Sequence, residues 1–487
     1  MPAFPRSLST RTRRTTAALS AATLAFGVLA AGSGAATAAP GSSTGGGGNP
    51  NAGSSQVFGS IADTTPRPLV NLGDPMRDPA PYTKPTADSG LKWDSVPATP
   101  GEHIAQVPLD ESLRLANAGA QYRVAHSTTD QHGKVVASTG AIFLPKGTPP
   151  EGGWPVLAWA HGTVGMDDVC APSINDRGER DSAYLNHWLS QGYAIVATDY
   201  AGLGTPGLMS YLNSQATADS VVDSVIAAHK ADLSAALPAE SKDQPVLSKK
   251  WAVIGQSQGG GAALNVAHGA TSRSQPAGLD FRGTVATGAP AYIEEIVLAG
   301  GPTFPAIPLP AGLNSYALYI LAGFREANPD IDVDSALTEE GRKMVDASLK
   351  SCLPQTADAV RGTNLARAFK KPLRDVPGLP EALRTYMATP TTGYDRPVFL
   401  GHGLADMDVP TPIGLSLNTE MWLKQFTGSP RNARVEVRWY PTDHGGTVPA
   451  SQVHSTPFLK SIFDDDAAAG PVGSLGSAEP SGTPAKS

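Results

Sequence analysis

The 487-residue sequence has only two cysteines, an excess of acidic over basic residues and no motif that would bind a cofactor. Its formal net charge is −7, and no run of Lys or Arg could follow a phosphate backbone, which argues against a nucleic-acid partner. Because it contains no phosphate-binding glycine loop, zinc-ligand spacing or EF-hand pattern, we expect neither a metal nor an organic cofactor. What remains is an ordinary globular composition, long enough for one large domain or two small ones.

The apolar run near the N-terminus is too short for a membrane-spanning helix. It covers residues 17–31, is interrupted by Ser, Thr and Gly, and falls short of the roughly 20 residues that a spanning helix needs. Arg13 and Arg14 precede it, and small residues at 36–38 offer a cleavage site. We therefore predict a secretory signal peptide over residues 1–38 and an extracellular mature protein, with an uncleaved membrane anchor as the alternative.

The two cysteines are Cys170 and Cys352. An even number in a chain that enters an oxidising compartment favours a single disulfide. Neither cysteine belongs to a Cys-x-x-Cys pair or has a histidine at ligand spacing. A metal-binding pair or two free buried thiols is therefore the alternative.

Composition separates two tails from a folded domain. Residues 39–90 are rich in Gly, Ser, Pro, Asn and Asp and have no sustained apolar period, which predicts a linker or loosely attached arm. Residues 464–487 begin with acidic residues, continue with Ala, Gly, Ser and Pro, and are predicted to be disordered. The folded domain is therefore expected at 91–463.

Between these tails, short apolar strands alternate with helices. Strands are predicted at 121–128, 135–145, 156–160, 193–198, 251–255, 283–287, 397–401 and 435–440. Helices are predicted at 182–191, 216–237, 258–268 and 412–426. The first two strands alternate apolar and polar residues like a hairpin, whereas most later ones are continuous apolar runs typical of strands buried on both faces. We therefore predict an α/β fold, with a mostly parallel sheet and helices on both of its faces.

The interval 290–392 breaks this alternation. It contains no good buried strand, but it has helical stretches, among them 315–324. Because the interval lies between strands that are associated with candidate catalytic residues, we predict that it forms a helical cap over the site. Additional core helices behind the sheet are the alternative.

The most informative motif is Gly255-Gln256-Ser257-Gln258-Gly259. An apolar strand precedes it and a helical pattern follows it, as in a nucleophile elbow, where the glycines permit a very tight turn that exposes the serine hydroxyl. The following helix directs free N–H groups to the same point, where they favour the oxyanion of a tetrahedral acyl intermediate. Ser257 is therefore the candidate nucleophile, and a plain glycine turn is the alternative.

A serine nucleophile needs a histidine base, and the histidine needs a carboxylate that orients it. In α/β-hydrolases the acid and then the histidine follow the serine along the chain. Asp406 lies in the loop after the strand at 397–401, with Asp408 as the competing acid, and His444 lies in a glycine-containing loop after the last strand. These positions predict a catalytic triad of Ser257, Asp406 and His444.

Two backbone N–H groups are expected to form the oxyanion hole. One belongs to Gln258, the residue after the candidate nucleophile. The other is expected from the loop after the strand at 156–160, at Thr163 or its immediate neighbours, with His161 shaping that loop. Asp199, at the end of the next strand, is expected to have a structural hydrogen-bonding role.

These motifs together resemble the secretory lipases, a family of the α/β-hydrolase fold. The similarity spans roughly residues 100–460, and the matching segments are Gly152-Gly153-Trp154-Pro155, the His-Gly-Thr loop, Cys170-Ala171-Pro172-Ser173, Asp199 with its glycine turn, and the elbow. The resemblance implies an α/β-hydrolase with an inserted helical cap that hydrolyses acyl esters with Ser257, Asp406 and His444. It also implies a disulfide between Cys170 and Cys352 that ties the oxyanion loop to the cap.

We therefore expect a secreted, lipase-like serine ester hydrolase that works without a cofactor. Its expected partners are a small-molecule or lipid ester and, through the cap, a lipid surface in transient contact; the sequence predicts no oligomeric state. Three alternatives stay open. They are the same mechanism on feruloyl or short-chain esters, a serine peptidase of the same fold, and a non-catalytic binding protein on the hydrolase scaffold.

Overall fold

A computed structural model describes residue 87 and residues 90–237, 244–303 and 307–464. The predicted signal peptide, nearly all of the predicted linker and the predicted tail beyond Asp464 lie outside these residues. Within them, no helix is both long and apolar enough to cross a membrane.

Nine strands in the described residues form one sheet. They are β1 (His103–Pro108), β2 (Ala118–Thr129), β3 (Val135–Pro145), β4 (Trp154–Ala160), β5 (Ala194–Thr198), β6 (Leu247–Gln256), β7 (Asp280–Thr287), β8 (Val398–Gly403) and β9 (Val435–Tyr440). Their order across the sheet is β1-β2-β3-β5-β4-β6-β7-β8-β9. Neighbouring strands pair antiparallel from β1 to β5 and parallel from β5 to β9. The mostly parallel α/β architecture predicted from the sequence is therefore confirmed.

Helices cover both faces of this sheet. They are α1 (Glu179–Ser190), α2 (Ser214–Ala228), α3 (Gln258–Ala267), α4 (Ala270–Ser274), α5 (Ile293–Leu298), α6 (Ala311–Ala327), α7 (Glu339–Ser348), α8 (Leu353–Ala359), α9 (Leu379–Met387), α10 (Thr411–Thr427) and α11 (Thr447–Asp464). One buried apolar cluster joins α1 and α11 to the sheet, and another joins α2, α3 and α6 to it. The sheet is thus the middle layer of three.

The side chains of β4 show how one strand serves both clusters. Val156 and Ala158 belong to the cluster with α2 and α3, whereas Leu157 and Trp159 belong to the cluster with α1 and α11. Successive side chains of a strand point to opposite faces, so a strand covered on both sides must be apolar throughout. This is why the central strands appear in the sequence as continuous apolar runs.

Several elements differ from the sequence prediction, which also omits helices α4 and α11. The first strand, β1, was not predicted, because it is an edge strand whose residues are only partly buried and carry no clear apolar alternation. The helix predicted at 216–237 is wrong at its C-terminal end, since α2 ends at Ala228. There the imidazole of His229 hydrogen-bonds the carbonyl groups of Val225 and Ser248, which anchors the chain near the start of β6.

The interval 290–392 contains helices α5 to α9, and its described residues add no strand to the sheet. Helix α6 is the longest of the five and is strongly buried, with Leu318, Tyr319, Ile320 and Phe324 nearly inaccessible to solvent. In its described residues, the interval is thus a helical insertion that lies between β7 and β8 along the chain.

Candidate active site

Ser257 lies between the end of β6 and the start of α3, in a backbone conformation that few side chains adopt. Its φ is 57° and its ψ is −126°. The flanking glycines are sterically required, because an added Cβ at Gly255 would lie 2.0 Å from the Gly259 carbonyl oxygen, and one at Gly259 would lie 1.9 Å from that of Ala160. Such a strained turn persists only where the surrounding structure enforces it. Ser257 itself stays partly exposed.

Asp406 and His444 form a short hydrogen bond at the end of the sheet. The distance from His444 Nδ1 to Asp406 Oδ2 is 2.7 Å, and both residues are buried. The other carboxylate oxygen, Asp406 Oδ1, accepts the backbone N–H groups of Asp408 at 3.0 Å and Val409 at 2.8 Å. The loop after β8 therefore holds the Asp406 carboxylate in one orientation toward the imidazole.

Contacts from β6 and β7 bring this pair to the elbow. The side-chain amide of Gln256 donates to the His444 carbonyl oxygen at 3.1 Å, and the Ser257 N–H donates to the Thr287 carbonyl oxygen. Gly288 follows Thr287 with a φ of +53°, and a Cβ there would lie 2.8 Å from His444 Cε1. The structure contains no hydrogen bond between Ser257 and His444 Nε2, which is buried and has no hydrogen-bond partner among the described residues.

Opposing effects act on the proton affinity of His444. Burial by itself lowers the pKa of the imidazole, but the charges of Asp406 and Asp408 and the hydrogen bond to Asp406 raise the pKa above its ordinary value. The imidazolium form is therefore stabilised next to two carboxylates, as a general base requires after it has accepted a proton.

Asp408, the competing acid, makes a different contact. Its Oδ1 accepts a hydrogen bond from the hydroxyl of Tyr316 on α6 at 2.9 Å, and it is not hydrogen-bonded to His444. Burial raises the pKa of Asp408 to about 6. Of the two carboxylates, it is thus Asp406 that orients the imidazole.

The loop after β4 packs against the elbow. A Cβ added to Gly162 would lie 3.8 Å from the Ser257 Cβ, so the loop passes close to the serine. The next residue, Thr163, hydrogen-bonds through its Oγ1 to the Tyr211 hydroxyl at 2.6 Å. On the other side of Ser257, Gln258 begins α3, where the first N–H groups have no acceptor within the helix. The two predicted oxyanion donors therefore belong to segments that both lie next to Ser257.

The two residues that follow β5, Asp199 and Tyr200, make hydrogen bonds close to the His-Gly-Thr loop. The Tyr200 hydroxyl donates to the His161 carbonyl oxygen at 3.0 Å. The Asp199 carboxylate accepts the Thr139 hydroxyl at 2.7 Å and the Ser173 N–H at 2.8 Å. These contacts agree with a structural rather than a catalytic role for Asp199.

Cys170 and Cys352 form a disulfide. Beside it, Gly165 pairs with Cys352 in an isolated β-bridge, and the Leu353 N–H donates to the Val164 carbonyl oxygen at 2.8 Å. The segment that follows Thr163 is therefore tied to the 290–392 interval both covalently and by hydrogen bonds.

Asp406, Asp408 and His444 are close enough together to be considered as metal ligands. One ligand atom from each lies within 4.8 Å of the other two, and no other such group of three occurs in the described residues. In the structure His444 is hydrogen-bonded to Asp406, and Tyr316 is hydrogen-bonded to Asp408.

Sequence reasoning missed several residues that shape this site. Tyr211 and Tyr316 contact it from segments whose distance along the chain hides the contact. His402 lies behind Asp406, where its Nε2 hydrogen-bonds the Val409 carbonyl oxygen at 3.0 Å. For Gly288 a signal was present, since a glycine directly after a buried strand often marks a close approach of another group.

Comparisons with known proteins agree with this architecture. The model of the family "Secretory lipase" matches residues 178–376, which include Ser257 and Cys352 but end before Asp406 and His444. No curated protein matches the sequence. The predicted similarity to the secretory lipases is thus confirmed.

Solved structures share the fold at low sequence identity. Candida antarctica lipase A is 20% identical, with a TM-score of 0.59 over 77% of this chain and 83% of that chain. The same lipase in its closed state gives 20% identity and a TM-score of 0.58 over 82% and 89%. The rice cell wall degrading esterase LipA from Xanthomonas oryzae, in a ligand-bound form, is 18% identical, with a TM-score of 0.55 over 75% and 97%. The α/β-hydrolase fold predicted from the sequence is therefore confirmed.

Proposed function

From its similarity to the secretory lipases, we propose that the chain is a lipase-like ester hydrolase that acts through an acyl-enzyme on Ser257. Ser257 Oγ attacks the ester carbonyl carbon while His444 Nε2 takes the hydroxyl proton. The tetrahedral intermediate collapses, the carbon–oxygen bond of the ester breaks, and His444 passes the proton to the leaving alcohol. Water then attacks the acyl-enzyme by the same steps and releases the acid.

The hydrogen bond between Asp406 and His444 is the observation that carries this proposal. At pH values where it is ionised, the Asp406 carboxylate can only accept, so the 2.7 Å contact places the imidazole proton on Nδ1 and leaves the lone pair on Nε2. No described group hydrogen-bonds that buried nitrogen. It is therefore available to the Ser257 hydroxyl, and such contacts often tighten only when substrate binds.

The N–H groups of Gln258 and Thr163 are the proposed oxyanion donors. Gln258 stands at the N-terminus of α3, where the helix dipole adds to the attraction for a negative oxygen. The Thr163 side chain is anchored by Tyr211, and Gly162 beside it approaches Ser257. Both donors thus belong to backbone that is held in place before the reaction, which is what oxyanion stabilisation requires.

We also propose that the protein is secreted and that 290–392 is a cap over the site. Disulfides persist in oxidising compartments, which agrees with export of a chain that carries the Cys170–Cys352 bond.

The interval 290–392 contacts the oxyanion loop at Cys352 and, through Tyr316, the loop after β8 that carries Asp406 and Asp408. In this proposal the preferred substrates are fatty acyl esters, and the cap makes a transient contact with the lipid surface that supplies them.

The test is hydrolysis of p-nitrophenyl esters from acetate to palmitate, and of methyl ferulate, by the mature protein and by Ser257→Ala. Ser272→Ala is a matched control, because Ser272 is an exposed serine beyond α3. We expect Ser257→Ala to lower kcat by at least about a thousandfold and to abolish labelling by a fluorophosphonate, while Ser272→Ala retains both.

A peak of activity on long chains supports a lipase. A peak at acetate or ferulate keeps the mechanism and moves the substrate class to short-chain or feruloyl esters. Substantial turnover by Ser257→Ala, or no turnover of any ester by folded wild-type protein, rejects the proposal.

A further inference from the structure

Asp408 carries a carboxylate at the candidate site that the proposed triad does not use. It follows Asp406 by two residues, and its backbone N–H donates to Asp406 Oδ1 at 3.0 Å. As a whole residue Asp408 is intermediate in burial, whereas Asp406 and His444 are buried. Of these three residues, Asp408 is therefore the most accessible to solvent.

Only part of the hydrogen-bonding capacity of this carboxylate is used. Among the residues that the structure describes, the Tyr316 hydroxyl is the donor that reaches it, at 2.9 Å from Oδ1. An ionised carboxylate has about four acceptor positions on its two oxygens. Asp408 can thus accept a further hydrogen bond from a group that enters the site.

Its position indicates which part of a substrate that group would be. One carboxylate oxygen of Asp408 lies within 4.8 Å of a ring nitrogen of His444 and of an oxygen of Asp406. In the proposed mechanism His444 passes its proton to the leaving alcohol, so the space beside the imidazole belongs to the alcohol portion of the ester. A hydroxyl two carbon atoms from the ester oxygen is the substrate group that a carboxylate this close to the imidazole could contact.

An apolar group suits this place poorly. Covering a carboxylate with an alkyl group removes it from water without compensation, whereas a hydroxyl donor restores the lost hydrogen bond. A site with an acceptor for a substrate hydroxyl also discriminates strongly against the analogue that lacks it.

We propose that Asp408 is a specificity-determining residue that accepts a hydrogen bond from a free hydroxyl of the leaving alcohol. The preferred substrates are then monoesters of polyhydric alcohols, in which a hydroxyl neighbours the esterified oxygen. This inference rests on the proposed ester hydrolysis and names the alcohol class for the same site. Tyr316 holds one oxygen of Asp408, which leaves the other for the substrate.

The test compares esters of octanoic acid that differ only in the alcohol. 2-Hydroxyethyl and propyl octanoate have nearly the same size, but only the first can donate a hydrogen bond. 2-Methoxyethyl and butyl octanoate form a second pair, in which the ether oxygen cannot donate. Measured at pH 8, the wild-type kcat/KM should favour the hydroxyethyl over the propyl ester by about tenfold or more, with no comparable preference for methoxyethyl over butyl.

Three variants locate the acceptor. Asp408→Leu is expected to reduce the hydroxyethyl preference to about twofold or less, whereas Tyr316→Phe, which keeps the carboxylate, is expected to retain it. Asp408→Leu leaves the Tyr316 hydroxyl without its hydrogen-bond acceptor. If that variant folds poorly for this reason, the double variant Asp408→Leu with Tyr316→Phe replaces both partners by apolar groups. Any change in the pKa of His444 acts equally on both esters and cancels in the ratio.

Equal rates on the hydroxyethyl and propyl esters in the wild type would overturn the inference, as would a preference that survives in the Asp408→Leu variants. A preference lost in Tyr316→Phe would also overturn it, because recognition would then lie with the tyrosine. Turnover of p-nitrophenyl octanoate, which has no alcohol hydroxyl, separates these outcomes from a failure of the proposed function.

Discussion

Replacing Asp406 by Asn tests the acid–base pair with almost no change in shape. In the structure Asp406 Oδ1 accepts two backbone N–H groups, from Asp408 and Val409. The oxygen of the new amide must stay at that position, because an NH2 group there would face two donors. The NH2 group is then directed at His444 Nδ1, which forces the imidazole proton onto Nε2 and removes the lone pair that Ser257 needs.

The expected loss in kcat is about 10³- to 10⁴-fold, the size known for a triad histidine held in the wrong tautomer. The assay is hydrolysis of the best p-nitrophenyl ester near pH 8, together with the melting temperature. Asp443→Asn is the control, since it removes an exposed carboxylate adjacent to His444 and leaves the tautomer unchanged. Retention of more than about a tenth of wild-type kcat by Asp406→Asn would refute the reasoning, and a larger loss in Asp408→Asn would transfer the role to Asp408.

Two further predictions concern proton affinity and the oxyanion loop. Because the carboxylates raise the pKa of His444 and the base must be neutral, kcat/KM should rise with pH through a midpoint above 6.5, and a lower midpoint would contradict this assignment. Tyr211→Phe, which removes the hydroxyl bonded to Thr163, should lower kcat by about tenfold with little change in KM. Tyr386→Phe is its control, because the Tyr386 hydroxyl donates to the Tyr211 carbonyl oxygen and not to Thr163; equal kcat losses in both variants would indicate general destabilisation.

Much of the fold could be predicted because its signals are local. The apolar runs of β4 to β8 and the glycines around Ser257 each reflect a requirement of neighbouring backbone, so they are visible in a short stretch of sequence. The edge strand β1 lacks such a signal, since its side chains are only partly buried. The end of α2 was misplaced because His229 makes its anchoring contact with Ser248, nineteen residues further along the chain.

For the site, sequence order suggested Asp406 and left Asp408 as a competitor. The two carboxylates differ by only two positions in one loop, and their separate roles depend on what each meets in space. Asp406 meets His444 from the loop after β9, and Asp408 meets Tyr316 from α6. Neither partner is close to the loop along the chain.

The sequence by itself determined the α/β architecture, the nucleophile turn and the two cysteines available for a disulfide, because backbone sterics and apolar periodicity act between residues close in the chain. Only the tertiary structure decided which carboxylate faces His444, how Tyr211 anchors Thr163, and in which direction burial and charge move the pKa of His444. Hydrogen bonds and charge interactions act over a few ångströms of space, and residues far apart along the chain come that close only after the chain has folded.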